Sequence, residues 1–270
     1  MATRRTGFVE VASPLLPGPP ARVHVRETGS GPPLVLLHSG WGWEAYPFDR
    51  QLDALAGEFR VVAPDRTGYG ASPALPSVPD GYHRMFAREC LGVMDALGIE
   101  RAALWGHSDG AVVAAWMAIE APGRVRGLVL EAFHFWRAKV GSLPFFEMAA
   151  NRPEDFGEEV VEALRRDHGE PRWRGIISEG ARAWLRIIEH GQAAGGDVYA
   201  GRLGEVSSPV LLLHGFRDPR SEPGEIDAAC AALPDARIGW VDSGHAPHAS
   251  PRAGEEATRI AAEFLRVLPP

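Results

Sequence analysis

The chain has 270 residues, of which 45% are hydrophobic and 23% charged, as in a globular protein with a sizeable core. Its formal net charge of −7 argues against binding to nucleic acid or to anionic membranes. No apolar run resembles a secretory signal or approaches a membrane span. The two cysteines, Cys90 and Cys230, lie far apart and imply no disulfide framework. We therefore expect a cytoplasmic protein.

Short apolar runs alternate with helix-like segments along most of the chain. The strand candidates are 7–12, 21–27, 34–38, 60–64, 102–106, 125–131, 209–215 and 236–242, and the helix candidates are 45–56, 82–97, 109–120, 224–233 and 251–267. The first two strand candidates alternate polar and apolar residues around a Pro/Gly turn, which predicts a hairpin. The later runs are typical of strands buried on both faces. The alternation predicts an α/β fold, a mostly parallel sheet of about eight strands with helices on both faces.

Residues 133–204 interrupt this alternation. They contain no good strand candidate but two amphipathic segments, 153–167 and 181–191. We interpret the stretch as a helical cap inserted between the core segments 1–132 and 205–270, because the gap is too long for one crossover. A set of ordinary crossover helices is the alternative.

The candidate nucleophile lies where an apolar run meets an alanine-rich, helix-like segment. The sequence GHSDG at 106–110 has the G-x-S-x-G pattern of a nucleophile elbow, with Ser108 at its centre. Such a turn strains the serine backbone and leaves room only for glycine two residues before and after it. It also places Ser108 at a helix N-terminus, which favours developing negative charge. A plain glycine-rich turn is the alternative.

A serine hydroxyl needs a base, and the base needs an acid that fixes its tautomer. Two histidines follow the last strand candidate, and we prefer His245, which follows it directly, to His248. For the acid we prefer Asp218, at the carboxyl end of the preceding strand, although an Asp-Pro turn explains it as well. Asp242, which is close to His245 in sequence, and Glu131, which ends another strand, are the alternatives.

The oxyanion of a tetrahedral intermediate needs backbone donors. We expect one from the N–H group of Asp109, the residue after the candidate nucleophile. The other should come from the loop after 34–38, where Gly40 is preferred and Trp41 is the second choice.

Several aromatic side chains near the strand ends are candidates for substrate binding. His134 and Trp136 open the segment after 125–131, and with Trp41 and Trp43 they can form an aromatic site for an acyl or alcohol group. Packing of the cap on the core is the alternative. Other histidines, namely His83, His168 and His190, are interpreted as surface residues on helices.

Together these segments resemble the α/β-hydrolase superfamily across nearly the whole chain, including its order of serine, acid and histidine. LLHSGWG is similar to its oxyanion segment, with Ser39 in place of the usual glycine, and VVAPDRTGYGAS to its Asp-x-x-Gly-x-Gly-x-Ser loop. GHSDGA, HGFRD and SGHAPH resemble its elbow, acid turn and histidine loop. GHSDGA and GLVLEAFHF are most similar to valacyclovir-hydrolase-like (biphenyl-hydrolase-like) serine hydrolases and related bacterial esterases, a resemblance that also implies a helical cap.

Asp109 raises a separate question, because a carboxylate beside an oxyanion hole opposes the charge that catalysis must stabilise. A helix dipole favours an acidic residue in the first turn, and Arg66 or another arginine can neutralise it. The relatives instead imply that this position receives the amino group of an amino-acid ester. Both interpretations stay open.

These residues predict a serine hydrolase that cleaves carboxylic esters or related acyl compounds through an acyl-enzyme. We expect a small-molecule substrate and no organic cofactor or metal. The alternatives are an amino-acid ester hydrolase, a non-catalytic small-molecule-binding relative, and acyl transfer to an alcohol or peroxide. Haloalkane dehalogenases and epoxide hydrolases resemble this fold but use an aspartate nucleophile, so Ser108 argues against both.

Overall fold

The computed structural model, which describes residues 3–194 and 196–269, contains an eight-stranded sheet. The strands are β1 (Arg5–Val11), β2 (Ala21–Thr28), β3 (Pro33–Leu37), β4 (Arg60–Pro64), β5 (Ala102–His107), β6 (Val125–Glu131), β7 (Val210–Gly215) and β8 (Arg237–Val241). Their order across the sheet is β1-β2-β4-β3-β5-β6-β7-β8. β1 pairs with β2, and β2 with β4, in antiparallel fashion, and the other neighbours are parallel. The predicted mostly parallel α/β sheet with an N-terminal hairpin is confirmed.

The helices are α1 (Asp49–Leu55), α2 (Tyr82–Ala96), α3 (Asp109–Glu120), α4 (Leu143–Asn151), α5 (Glu158–His168), α6 (Arg172–Ala194), α7 (Glu225–Ala232) and α8 (Gly254–Arg266). α1 and α8 cover one face of the sheet, and α2 and α3 cover the other. In β3, Leu34 and Leu36 pack towards α1 and α8, whereas Val35 and Leu37 pack towards α2 and α3. Successive side chains of a strand point to opposite faces, so a strand between two helical layers must be apolar throughout.

β8 departs from this rule. Ile238 and Trp240 are 43% and 40% exposed, so the prediction that this strand is buried on both faces was wrong. β8 is the edge strand of the sheet, and one of its faces is left without a covering helix. Trp240 instead stacks on Phe216, with ring centroids 5.4 Å apart.

Between β6 and β7 the described residues form helices and add no strand to the sheet. α4 was not predicted, and α6 extends well beyond the predicted segment 181–191. α5 begins later than predicted because Gly157, with φ 91°, separates it from a 3-10 turn at Pro153–Phe156. The three helices enclose an apolar cluster that includes Leu164 and Trp173. We refer to α4, α5 and α6 as the cap, and its boundaries at 133 and 204 remain an interpretation.

The only lysine of the chain, Lys139, is fully buried in an ion pair with Glu225. Its Nζ lies 2.6 and 2.5 Å from the two carboxylate oxygens and 2.9 Å from the carbonyl oxygen of Arg220. The same carboxylate accepts the backbone N–H groups of Phe135 and Trp136. Lys139 therefore connects the segment after β6 to the first residue of α7 and, through Arg220, to the loop that precedes it.

In the described part of the chain, residues 3–194 and 196–269, no helix has both the length and the apolar character needed to cross a membrane. Cys90 and Cys230 are free thiols.

Candidate active site

Ser108 lies in a sharp turn between β5 and α3, with φ 55° and ψ −119°. A Cβ on Gly106 would collide with the carbonyl group of Gly110, and a Cβ on Gly110 would collide with that of Leu37. This crowding is the reason for the two glycines that the elbow pattern predicts. A serine in such a conformation costs about 1–3 kcal/mol, which the surrounding packing must offset.

Three side chains from distant parts of the chain meet at this turn. Ser108 Oγ lies 3.0 Å from His245 Nε2, and His245 Nδ1 lies 2.9 and 3.0 Å from the two carboxylate oxygens of Asp218. The residues follow β5, β8 and β7, whose carboxyl ends meet at one edge of the parallel sheet. With the Nδ1 proton donated to Asp218, Nε2 is free to accept the proton of Ser108.

The electrostatics keep Asp218 ionised. Burial opposes its ionisation, but the charge and hydrogen bond of His245 outweigh burial and hold the pKa of Asp218 well below its usual range. The backbone N–H of Arg220 donates to Asp218 Oδ1 at 2.8 Å, and His214 Nε2 lies 3.4 Å from Oδ2. A carboxylate held in this way can only accept hydrogen bonds, as the role of an orienting acid requires.

The alternative base and acids have other partners. His248 Nδ1 lies 2.6 Å from Glu131 Oε1, and its Nε2 lies 3.1 Å from the carbonyl oxygen of Tyr46. Asp242 forms an ion pair with Arg217 at the surface. Within the described residues, the side-chain partners of Ser108 Oγ are His245 and one further histidine. The geometry therefore favours the residues preferred from sequence.

His107, Glu131 and His248 form the one group with ligand spacing for a metal among the described residues. Their ligand atoms lie within 4.8 Å of one another. Each is already engaged, however: His248 contacts Glu131, and His107 Nε2 lies 2.8 Å from the carbonyl oxygen of His245. Burial lowers the pKa of His107 to about 3, so that its ring is neutral. We interpret the group as a hydrogen-bond network that supports the histidine loop.

The further histidine at the nucleophile is His134, whose Nε2 lies 3.3 Å from Ser108 Oγ. Its buried ring stacks on His245 and contacts Trp184 edge to face. Burial lowers the pKa of His134 well below its ordinary value, and the charges of Lys139 and His245 act in the same direction. His134 Nδ1 has no partner among the described residues, so a proton on Nε2, donated to Ser108 Oγ, satisfies the neutral ring best. The sequence predicted a substrate contact here and missed the contact with the nucleophile.

The loop after β3 is fixed by hydrogen bonds between side chains and its backbone. Arg66 Nη2 donates to the carbonyl oxygen of Ser39 at 2.7 Å, and Ser39 Oγ accepts the N–H of Trp41 at 3.1 Å. Within the described residues no protein group accepts the N–H of Gly40 or of Asp109. The geometry therefore favours Gly40 over Trp41 as oxyanion donor, together with Asp109. Ser39, which stands where the family pattern has glycine, is the residue that accepts the Trp41 N–H and so engages that possible oxyanion donor.

Side chains of the cap form hydrogen bonds with the backbone of this loop. Asp167 Oδ2 accepts the N–H of Trp43 at 2.5 Å, and His168 Nε2 donates to the carbonyl oxygen of Trp41 at 3.0 Å. A Cβ on Gly42 would collide with both side chains, which explains the glycine. The interpretation of His168 as a surface residue was therefore wrong, because the last turn of α5 packs directly on the oxyanion loop.

Asp109 lies in the cavity wall with its carboxylate against Gly40. Its Oδ1 accepts Trp184 Nε1 at 2.8 Å and His83 Nε2 at 3.2 Å, whereas Oδ2 has only a long contact of 3.5 Å with the hydroxyl of Tyr82. One carboxylate oxygen is thus fully engaged, and the other keeps spare capacity to accept hydrogen bonds.

The charge of Asp109 is offset mainly by His83. Burial opposes ionisation, but the hydrogen bond and charge of His83, followed by the charge of Arg66 and the hydrogen bond of Trp184, lower the pKa of Asp109. Arg66 acts at a distance, since its guanidinium hydrogen-bonds to Ser39 and His38 instead. The interpretation of His83 as a surface residue was wrong, whereas His190 is exposed as predicted. The first turn of α2 packs against α3, and this contact buries His83.

A cavity of about 410 Å³ lies above Ser108. His134 and Trp41 lie in its wall, as predicted. Trp43 does not, because it is buried beneath the loop against Phe48. Trp136 also lies outside the wall and packs on Phe135. The cap contributes mostly apolar side chains to the wall, namely Phe145, Phe146, Ala149, Ile177, Ala181 and Trp184.

The fold agrees with the comparisons with known proteins. Residues 32–174 match the sequence profile of the alpha/beta hydrolase fold family. The chain is also 32% identical to the pimeloyl-[acyl-carrier protein] methyl ester esterase of Nitrosomonas europaea, over 85% of this chain and 95% of that protein. The chain therefore belongs to the α/β-hydrolase family, which confirms the resemblance found in the sequence, and it is a hydrolase.

Two further relatives show how far the similarity extends. Epoxide hydrolase 2 of Siraitia grosvenorii is 35% identical, but over only 43% of this chain and 36% of that protein. The structure of a thermophilic esterase from Thermogutta terrifontis has 25% identity and a TM-score of 0.68, and the match covers 96% of this chain and 98% of that chain. The similarity to these two esterases covers most of the chain, whereas the similarity to the epoxide hydrolase of Siraitia grosvenorii is partial.

Proposed function

We propose that this hydrolase is a serine esterase that cleaves carboxylic esters through an acyl-enzyme on Ser108. The observation that carries the proposal is the hydrogen-bonded series from Ser108 through His245 to Asp218, placed at the floor of a cavity of about 410 Å³. The epoxide hydrolase and haloalkane dehalogenase relatives suggest other reactions, but those enzymes use an aspartate where this chain has Ser108.

In the first half of the reaction, His245 Nε2 takes the proton of Ser108 as Oγ attacks the ester carbonyl carbon. Asp218 stabilises the resulting imidazolium, and the N–H groups of Gly40 and Asp109 donate to the oxyanion. The C–O bond to the alcohol then breaks, and His245 returns its proton to the leaving oxygen. The product of this half is an ester between the acyl group and Ser108.

In the second half, His245 takes a proton from water, which attacks the acyl-enzyme, and the collapse of the intermediate returns that proton to Ser108 Oγ. In the free protein, His134 Nε2 lies 3.3 Å from the same oxygen. Its N–H group can therefore stabilise negative charge on Oγ as the acyl–oxygen bond breaks.

An activity screen with active-site labelling tests the proposal. A fluorophosphonate should form an adduct on Ser108, located by mass spectrometry, and p-nitrophenyl esters of rising chain length should be hydrolysed after a burst of p-nitrophenol. Absence of both would favour a non-catalytic small-molecule-binding protein. Formation of a new ester or peracid when an alcohol or peroxide is added would instead indicate acyl transfer.

A second candidate function is hydrolysis of amino-acid esters, and it is favoured by the ionised Asp109 carboxylate with a spare acceptor oxygen in the cavity wall. On this candidate, Asp109→Asn should raise KM for an α-amino ester about tenfold or more, because it removes a charge-assisted hydrogen bond. KM for the matching ester without the amino group should stay within about twofold. An equal loss on both esters would show that Asp109 only supports the structure through His83 and Trp184.

A further inference from the structure

Arg220 is a cation in the cavity wall whose charged group makes no hydrogen bond or ion pair within the part of the chain that the structure describes. It lines the same cavity as Ser108 and His245. Its backbone is held at both ends, since its N–H donates to Asp218 and its carbonyl oxygen accepts Lys139 Nζ. Its guanidinium, in contrast, makes no hydrogen bond or ion pair with any residue in 3–194 or 196–269. The backbone of Arg220 is fixed, and all five of its guanidinium N–H donors are available.

The surroundings of the guanidinium do not replace an anionic partner. Its carbon atom lies 3.1 Å from the centroid of the Phe145 ring, and Phe145 stacks in turn on Trp41. An aromatic face attracts a cation, but it does not supply the hydrogen-bond acceptors that the N–H groups of a guanidinium need. Burial lowers the pKa of Arg220 to about 10, which Tyr46 and Asp218 only partly offset. Asp218 is itself already paired with His245.

Two other polar side chains of the cavity wall can be compared with Arg220. Arg217 also lines the cavity, but it is more exposed than Arg220 and forms an ion pair with Asp242. The side chain of Tyr46 lines the cavity as well, and its hydroxyl has no partner among the described residues. Burial raises the pKa of Tyr46, so that its hydroxyl stays protonated and can donate. The cavity thus offers an unpaired guanidinium and an unpaired hydroxyl.

We propose that Arg220 and the hydroxyl of Tyr46 form a carboxylate-binding subsite, and that the preferred substrates are esters that carry a free carboxylate. A planar guanidinium can bind a carboxylate through two parallel hydrogen bonds, and partial burial strengthens such a contact. The carboxylate in the cavity wall, Asp109, has its Oδ1 hydrogen-bonded to His83 and Trp184 on the side of the cap and α2. The substrate class rests on the proposed esterase function, whereas binding to the subsite does not.

Paired substrates that differ only in the carboxylate test the subsite. Monomethyl adipate against methyl hexanoate places the carboxylate on the acyl side, and 4-acetoxybenzoate against phenyl acetate places it on the leaving side. In at least one pair, the wild type should prefer the anionic ester about tenfold or more in kcat/KM. Arg220→Gln should raise KM for that ester about tenfold or more with little change in kcat, and leave the neutral ester within about twofold.

Arg217→Gln is the matched control, since it removes the same charge from the wall of the same cavity. It should leave the preference within about twofold. An equal effect of the two substitutions would show that overall positive potential, rather than a subsite, attracts the substrate, and would overturn the proposal. An unchanged KM for both anionic esters in Arg220→Gln would overturn it as well.

Calorimetric titration of adipate into Ser108→Ala separates this inference from the proposed function. Affinity that falls about tenfold or more in Ser108→Ala/Arg220→Gln supports the subsite even if the wild type hydrolyses no ester. Hydrolysis of neutral esters without Arg220-dependent binding or preference leaves the esterase in place and removes the subsite. The unfolding midpoints of the variants should match that of the parent. Arg220→Lys should retain part of the preference for the anionic ester because it keeps the charge.

Discussion

Replacement of Ser108 by alanine is expected to lower kcat for ester hydrolysis by about 10³-fold or more. Without Oγ no acyl-enzyme can form, and His245 could act only by activating water directly. The donors at Gly40 and Asp109 would remain and could support a small residual rate. Steady-state kinetics on a p-nitrophenyl ester, at enzyme concentrations high enough to detect slow turnover, measures the change. Activity within about tenfold of the wild type would identify a different nucleophile.

Ser108→Gly provides a matched control for the backbone strain of the elbow. It should be as inactive as the alanine variant, because both lack the hydroxyl. Alanine keeps a Cβ at φ 55°, whereas glycine does not. The glycine variant should therefore be more stable than the alanine variant by about 1 kcal/mol in the free energy of unfolding, measured by denaturant titration. Equal stabilities would show that the elbow is not strained.

Lys139→Met is expected to lower the free energy of unfolding by about 3–5 kcal/mol. Both side chains of the Lys139–Glu225 pair are fully buried, so the substitution leaves the Glu225 carboxylate without its cation in a dry environment. The loss should appear as a lower midpoint in urea or guanidinium titration. In the wild type, an amine-reactive reagent should modify Lys139 only under conditions that unfold the protein.

The double variant Lys139→Met/Glu225→Gln tests the cause of this loss. A neutral carboxamide removes the unpaired charge, and its oxygen can still accept the N–H groups of Phe135 and Trp136 that Glu225 accepts at 2.6 and 3.0 Å. The double variant should therefore be more stable than Lys139→Met alone. A double variant less stable than the single one would indicate that lost packing around Lys139, rather than the buried charge, dominates.

The sequence by itself determined the elements of the sheet and the identity of the candidate triad. The strands β4 and β6 lie at their predicted bounds, and α3 does as well. A strand covered on both faces needs a continuous apolar run, and that requirement is visible in a short segment. The elbow can also be recognised from a short segment, because GHSDG contains the two glycines that the crowding around Ser108 requires. His245 and Asp218 could be chosen because each follows a strand whose end must lie near the others in a parallel sheet.

Only the tertiary structure decided which polar side chains are buried and what they contact. His83, His168 and Lys139 have no local pattern that distinguishes them from surface residues, yet each is buried where separate elements meet. Burial depends on the element packed against a residue, which can lie far away in sequence, as in the contact of His168 with Trp41. For the same reason, the contact of His134 with Ser108 and the unpaired guanidinium of Arg220 could not be read from composition or spacing. Both depend on how the cap and the strand-end loops close around one cavity.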